Sequence, residues 1–386
     1  MNVAVVGGGI FGQVIAWRLA LRGHEVALIE PVGPGNAGSG SGDRSRIVRA
    51  LYDDRGFAAA GHLGLALWSA WSRELGARLV ETTGVAYFDR RGDDAAATSF
   101  RSWLSRGVAN VRDLGGVAEE IAPDEAARRW PGVATSDLAR VVLEPAGGFG
   151  RPALACRTIA RASLATGLVA PVAATAERVV LRGASVSGIV VRYRDRSLRT
   201  IAADAVVVAA GFAGIALIAE HAGDLGIRRL PHWTSYWDVP YPEGASLGLD
   251  RLPVWADLGA AMYGFPDDGE SGFKMAWHEP RDAGDSARAA DGAPTEAQVE
   301  ALREAATRRF PGLRAATYRG HYACAYDATP DEVFQVGPVP GVEGLYFVGG
   351  MSGHGFKHAP GLGESVAQLV AGEPTVLDLA AYHLRT

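Results

Sequence analysis

Three groups of residues have the types and spacing to do chemistry. The first is Gly7-Gly8-Gly9-Ile10-Phe11-Gly12, with Glu30 following 18 residues after Gly12. A turn of this kind holds a pyrophosphate. Gly7 permits the tight turn, Gly9 lets backbone approach the phosphates, and Gly12 lets the next helix pack closely on its strand. Glu30 is placed to accept from a ribose hydroxyl, and its charge disfavours a 2′-phosphate. The second group is Lys274 with His278, which share one face of an extended strand and can point at one bound ring. The third is the set Arg44, Arg46 and Arg49, which ends a Gly/Ser loop begun at Gly33. The two cysteines, Cys156 and Cys324, lie 168 positions apart and form neither a metal-binding pair nor a disulfide framework, so no metal is expected.

These residues need elements to position them. Val3-Ala4-Val5-Val6 has the continuous apolar pattern of a parallel strand buried on both faces. Residues 10–22 read as a helix closed by Gly23, and Val26–Ile29 as a second buried strand ending at Glu30. The resulting βαβ unit suits NAD and FAD alike. Ala205 to Gly211 and Gly344 to Gly350 read as further buried strands, each ending at glycine. The nucleotide-binding sheet therefore draws on the start, middle and end of the chain, a plan of flavoproteins more than of dehydrogenases. The expected fold class is α/β in a two-domain α+β arrangement. A discontinuous Rossmann-like FAD-binding domain (1–85, 146–215 and 321–386) receives an inserted mixed-sheet substrate domain (86–145 and 216–320), which carries Trp233, Trp237 and Trp255. Helices are expected over Pro152–Ala165, which makes Cys156 a packing residue, over Glu296–Arg309, and over Glu364–Ala371 before Gly372. Arg281 to Thr295 reads as a loop able to gate the site.

Composition narrows the class. At 386 residues the chain exceeds what one core usually serves. Of its 50 glycines, 10 fall in residues 1–50 and 8 in residues 341–363, twice the share that even spacing gives, so the excess concentrates where a cofactor would touch backbone. A net charge of −5 provides no field for nucleic acid or anionic lipid. The few cysteines fit a reducing, cytoplasmic setting. The charge-free run Ala205 to Ala219 is too short to span a bilayer, and the first 23 residues lack the basic start and cleavage site of a signal peptide. Partners are expected to be small molecules.

Four separated motifs carry a resemblance: Gly42-Asp43-Arg44-Ser45-Arg46-Ile47-Val48-Arg49; Tyr263-Gly264-Phe265-Pro266; Gly272-Phe273-Lys274-Met275-Ala276-Trp277-His278; and Cys324-Ala325-Tyr326 with Ser352-Gly353-His354-Gly355-Phe356-Lys357. In order and spacing the chain resembles the monomeric sarcosine oxidase and N-methyltryptophan oxidase family, within the D-amino-acid-oxidase-like flavoproteins. The resemblance implies FAD, tethered through Cys324, and contacts to it from Gly211, Gly353, Gly355 and Lys357. It implies Lys274 as the oxygen-activating lysine, with His278, Tyr263 and Arg46 beside the flavin ring and substrate, and Arg49 with Lys357 on the substrate carboxylate. Met351 stands where sarcosine oxidase has an aromatic residue. The loop departs from the family's usual Gly-Asp-Thr-Arg, which leaves Arg44 as a solvated loop arginine.

The implied function is FAD-dependent oxidation of a secondary α-amino acid, N-alkyl or cyclic, by a monomer. Its products are an imine or its hydrolysis products, and H2O2 made from O2. One alternative is oxidation of a cyclic or specialised biosynthetic amino acid without hydrolysis. Two further alternatives, a non-catalytic flavin-binding subunit and an NAD-dependent dehydrogenase, lack either the need for these basic residues or the absorbance of a flavin.

Overall fold

The computed structural model describes residues 1–92, 94–278, 293–382 and 384. Most of the expected gating loop, residues 281–292, lies outside the described residues. At the centre of a six-stranded sheet runs Asn2–Val6, with Glu25–Ile29 and Ala205–Val208 parallel on either side. Val169–Val172 extends one flank, and Leu345–Gly349 with the antiparallel edge strand Gln335–Pro338 extends the other. The continuous apolar runs have the expected cause. Successive side chains of a strand alternate faces, and both faces are covered. Val3, Val5, Val26, Leu28 and Val207 pack on one side with Val14, Ile15, Leu362 and Val366. Ala4, Val6, Ile29, Val206 and Val208 pack on the other with Ile189, Val191 and Ile218. Each fully buried valine or isoleucine contributes roughly 1.5–3 kcal/mol.

The helix Ile10–Ala20 is buried on every side except at Arg18. It ends two residues before the expected boundary, and Leu21–Gly23 turn away with Gly23 at a φ of 81°. Against it lies the helix Ala359–Val370, so close that a Cβ on Gly363 would stand 2.6 Å from Val14 Cγ1. That helix starts five residues earlier than expected, because Pro360 occupies the first turn, where a missing N–H is harmless. The helix Glu296–Thr307 also ends slightly early, whereas Pro152–Ala165 keeps its expected span.

A second, eight-stranded sheet runs in the order Thr317–Ala328, Arg228–Asp238, Phe273–Trp277, Met262–Phe265, Val254–Asp257, Val85–Arg90, Leu138–Glu144 and Glu119–Ile121. Thr317–Ala328 pairs with Arg228–Asp238 along its whole length, so the expected boundary at 320/321 cuts through a strand of this sheet. Alternation divides its faces by chemistry. Trp237, Trp255, Met262, Phe273 and Met275 enter a core with Leu302, Phe310 and Leu313, and Trp233 packs at its edge. None of the three tryptophans left unplaced by sequence lines the main cavity. The opposite face presents His232, Tyr263, Phe265, Lys274, Tyr322 and Cys324 to that cavity. Among the described residues no helix is long and apolar enough to cross a membrane.

Candidate active site

A cavity of 1710 Å³ lies between the two sheets, at the carboxyl ends of the parallel strands. Val6, Ile29, Ala209 and Val348 mark those ends, the usual ligand position in open α/β sheets. At the glycine turn, Gly7 has a φ of 107°, and a Cβ there would meet the Ala209 carbonyl oxygen at 2.5 Å. Gly9 begins the helix Ile10–Ala20 and offers no side-chain cap of its own; Ser41 Oγ, 3.5 Å from where a Gly9 Cβ would stand, accepts from the Ile10 amide at 3.1 Å. The helix thus turns its positive end toward the cavity. Glu30 fastens the turn, one carboxylate oxygen accepting from the Gly8 amide at 2.8 Å and the other from Val32 at 2.9 Å.

The opposite wall holds a buried ion cluster. Lys274, 3% exposed, donates to Asp43 at 2.7 Å, to the Ser45 carbonyl at 3.0 Å and to Ser45 Oγ at 3.1 Å. Arg46 donates to the same Asp43 oxygen at 2.6 Å, and Tyr236 donates to the other. The ammonium also faces Phe265, 4.6 Å from the ring centre. Burial brings the Lys274 pKa down to about 8, with Asp43 opposing the fall. Burial alone would raise Asp43, but Lys274 and Arg46 hold it well below the ordinary carboxylate value. His278 ends the strand on the same face as Lys274. It is exposed toward the cavity, yet the surrounding protein and then the charges of Arg49 and Lys357 lower its pKa to about 4. Tyr263 stands 3.4 Å from His232, and burial raises its pKa to about 12. Cys324, opposite His232 in the strand pairing, is partly buried, and burial raises its pKa while Arg46 opposes the rise.

A third wall carries two basic side chains of a different kind, Arg49 and Lys357; burial and the charge of Arg49 lower the Lys357 pKa well below the ordinary lysine value, a fall that an incoming carboxylate would oppose. Arg49 donates to the Leu51 carbonyl, and Lys357, 4% exposed, donates to the His354 carbonyl at 2.8 Å. Among the described residues neither has a carboxylate within salt-bridge distance. Buried charges are normally paired, and among the described residues these two lack that pairing. Glu144, a buried carboxyl that acts on Arg49 from a distance, accepts instead from the backbone amides of Ala50 and Leu51, at 2.7 and 3.2 Å, and from the Tyr87 hydroxyl.

The cavity wall thus brings together Arg46, Arg49, Tyr263, Lys274, His278, Cys324, Lys357, Gly7, Gly9, Glu30, Gly211, Gly353 and Gly355. Gly12 is the exception among the expected site residues. It does not line the cavity but packs on its own strand, where a Cβ would fall 1.8 Å from the Gly7 carbonyl oxygen. Gly353 and Gly355 also serve packing, since added Cβ atoms would strike Tyr326 at 2.6 Å and Met351 at 2.8 Å. Arg44 points outward, 3.6 Å from Glu270. Cys156 is fully buried, away from the cavity wall, and its pKa rises to about 12 through burial. Sequence reasoning missed Asp43, Tyr52, Tyr236, His354 and His358. Asp43 had a signal, because a lysine buried in a strand requires a counter-ion and Asp43 sits beside two arginines in a motif already singled out.

A family model described as FAD dependent oxidoreductase matches residues 2–369. The chain belongs to this FAD-dependent oxidoreductase family. Within it, the chain is 26% identical over 397 aligned positions to monomeric sarcosine oxidase of Bacillus sp. (strain NS-129), covering 99% of this chain and 96% of that protein. It is 26% identical over 388 positions to N-methyl-L-tryptophan oxidase of Yersinia pestis (strain Pestoides F), covering 99% and 98%. The fold matches a crystal structure of L-proline dehydrogenase from P. horikoshii with a TM-score of 0.84 at 22% identity, over 99% of this chain and 96% of that one. The two-domain architecture expected from sequence is thus that of the FAD-dependent oxidoreductases. The residues present fit the cofactor. The N-terminal end of the helix Ile10–Ala20 lies on the cavity wall with Gly7 and Gly9, which carry no side chain to bar a pyrophosphate, and the cavity exceeds the roughly 300–1000 Å³ of a pocket for one small ligand.

Proposed function

We propose that the protein oxidises a secondary α-amino acid, N-alkyl or cyclic, with FAD, to an imine or its hydrolysis products and H2O2. The observation that carries this reading is the pair of cations, Arg49 and Lys357, without a carboxylate partner on the cavity wall. Sarcosine and N-methyltryptophan, named in the relatives, are both secondary amino acids with a carboxylate. Monomeric behaviour, also named in one relative, belongs to the same proposal.

The chemistry that bound FAD would supply is removal of a hydride equivalent from the C–H bond beside the amine nitrogen, with loss of the N–H proton as C=N forms, and passage of the two electrons to O2. Residues of this chain do the rest. Arg49 can take a carboxylate through two N–H groups, and Lys357 approaches it as a point charge. Their positive field disfavours a cationic amine close by and so promotes its neutral, oxidisable form. His278, neutral at pH 7 with a pKa of about 4, and the protonated Tyr263 can hold the amine by hydrogen bonds. The Lys274 ammonium, fixed by Asp43 and Ser45, stabilises the negative charge that develops on O2 as it is reduced. Cys324 faces the cavity beside Arg46 and is the proposed tether of the flavin ring.

A peroxide-coupled screen of N-methyl, cyclic and primary amino acids tests the reading. Turnover is expected with N-methyl or cyclic amino acids and with neither the decarboxylated amines nor the primary series at comparable kcat/KM. Equal turnover of an amine without a carboxylate overturns it.

A further inference from the structure

The two unpaired cations share one neighbour that the chemistry above leaves unused. The Arg49 guanidinium carbon lies 3.7 Å from the centre of the Tyr52 ring, and Lys357 Nζ lies 5.7 Å from it. An aromatic face attracts cations through its quadrupole without carrying a charge. An aspartate in the same place would neutralise the pair and compete with an incoming carboxylate. A ring can hold both cations and leave their charge free.

The ring is itself held. The Tyr52 hydroxyl is 3.1 Å from His354 Nδ1 and 3.3 Å from His358 Nε2. A phenol has one proton to give, so one imidazole accepts and the other donates; because one presents Nδ1 and the other Nε2, both imidazoles then carry the same tautomer. Burial keeps both imidazoles neutral, and the charge of Lys357 acts in the same sense. His354 anchors twice, because its carbonyl also accepts from Lys357. Phe57 stacks on Tyr52 at 5.5 Å, and Phe334 lies 4.7 and 5.4 Å from the two imidazoles, so the group is cased in aromatic side chains.

We propose that Tyr52, clamped by His354 and His358, is a positioning residue that keeps Arg49 and Lys357 aimed at the substrate carboxylate, an inference that rests on the carboxylate reading of those cations. Tyr52 touches neither reacting bond; it acts through the two basic side chains.

The test uses benzoate, a carboxylate that cannot be oxidised, titrated into the holoenzyme and followed by the change in flavin absorbance. Arg49→Met should weaken binding more than about tenfold. Tyr52→Leu should weaken it about tenfold, and Tyr52→Phe, which keeps the ring but frees it, about threefold. His354→Gln and His358→Gln should resemble Tyr52→Phe. With substrate, KM should rise more than kcat falls in each. If Tyr52→Leu does not fold, Tyr52→Phe and the two histidine variants decide. Wild-type protein that ignores benzoate, or Arg49→Met that binds it as tightly, overturns the carboxylate reading. Weak binding by Arg49→Met with wild-type binding by the Tyr52, His354 and His358 variants leaves that reading intact and overturns the clamp.

Discussion

Lys274 and Asp43 are 231 positions apart, and their contact shows what a single residue can and cannot reveal in sequence. The lysine was recognisable from its motif, and its strand partner His278 from the spacing of four. Asp43 was in view but had no assigned part, since nothing local says that a distant ammonium will be folded onto it. The pair makes two predictions. Lys274→Met should slow reaction of the reduced enzyme with O2 by roughly 10²–10³, while reduction by substrate changes much less; stopped-flow measurement of each half-reaction checks this. The ammonium is present below its pKa and lost above it. The O2 reaction of the wild type should therefore decline as pH rises through about 8. Asp43→Asn removes the charge that supports the ammonium, so the decline should move to lower pH, and a profile left in place would contradict the assignment.

Elements were more legible than contacts. The glycine turn, its helix and the strand ending in Glu30 are set by neighbours within about thirty residues, and they appear as expected. The start of Ala359–Val370 was hidden because Pro360, Gly361 and Gly363 read as a loop. Only the tertiary packing shows why they suit a helix: Gly363 receives Val14, and Pro360 sits where no hydrogen bond is lost. A substitution at this level acts through distance of approach. Gly12→Ala would place a methyl 1.8 Å from the Gly7 carbonyl oxygen, so the helix must leave its strand. Loss of more than about 3 kcal/mol is expected by denaturant titration, together with loss of bound flavin. Gly23→Ala, at a φ of 81° with nothing within 4 Å, should cost only about 1 kcal/mol.

Over the whole molecule, the glycine turn follows a strand of the six-stranded sheet and Lys274 lies in the eight-stranded one, and the two line opposite parts of the cavity. A ligand filling that space ties the two halves together. If Cys324 is the tether, acid-precipitated wild-type protein should keep its yellow colour and Cys324→Ser should release it. Dialysed Cys324→Ser protein should then melt at a lower temperature, recovering as FAD is added in proportion to RT ln(1 + [FAD]/Kd). The six-stranded sheet was legible as a plan because its central strands are strongly apolar. The boundary at 320/321 was not, since Thr317–Ala328 alternates in exposure and gives no sign of which sheet it joins. The order of strands in the six-stranded sheet has one more implication, for synthesis. Asn2–Val6 is made some two hundred residues before its neighbour Ala205–Val208, and that strand's other partner, Leu345–Gly349, follows more than a hundred residues later still. The nascent chain must therefore carry an apolar strand with an open edge while those residues are made, at about 5–20 residues per second. This interval of exposure, more than the stability of the finished fold, is where yield in a foreign host should be decided, and holding chaperones should raise it.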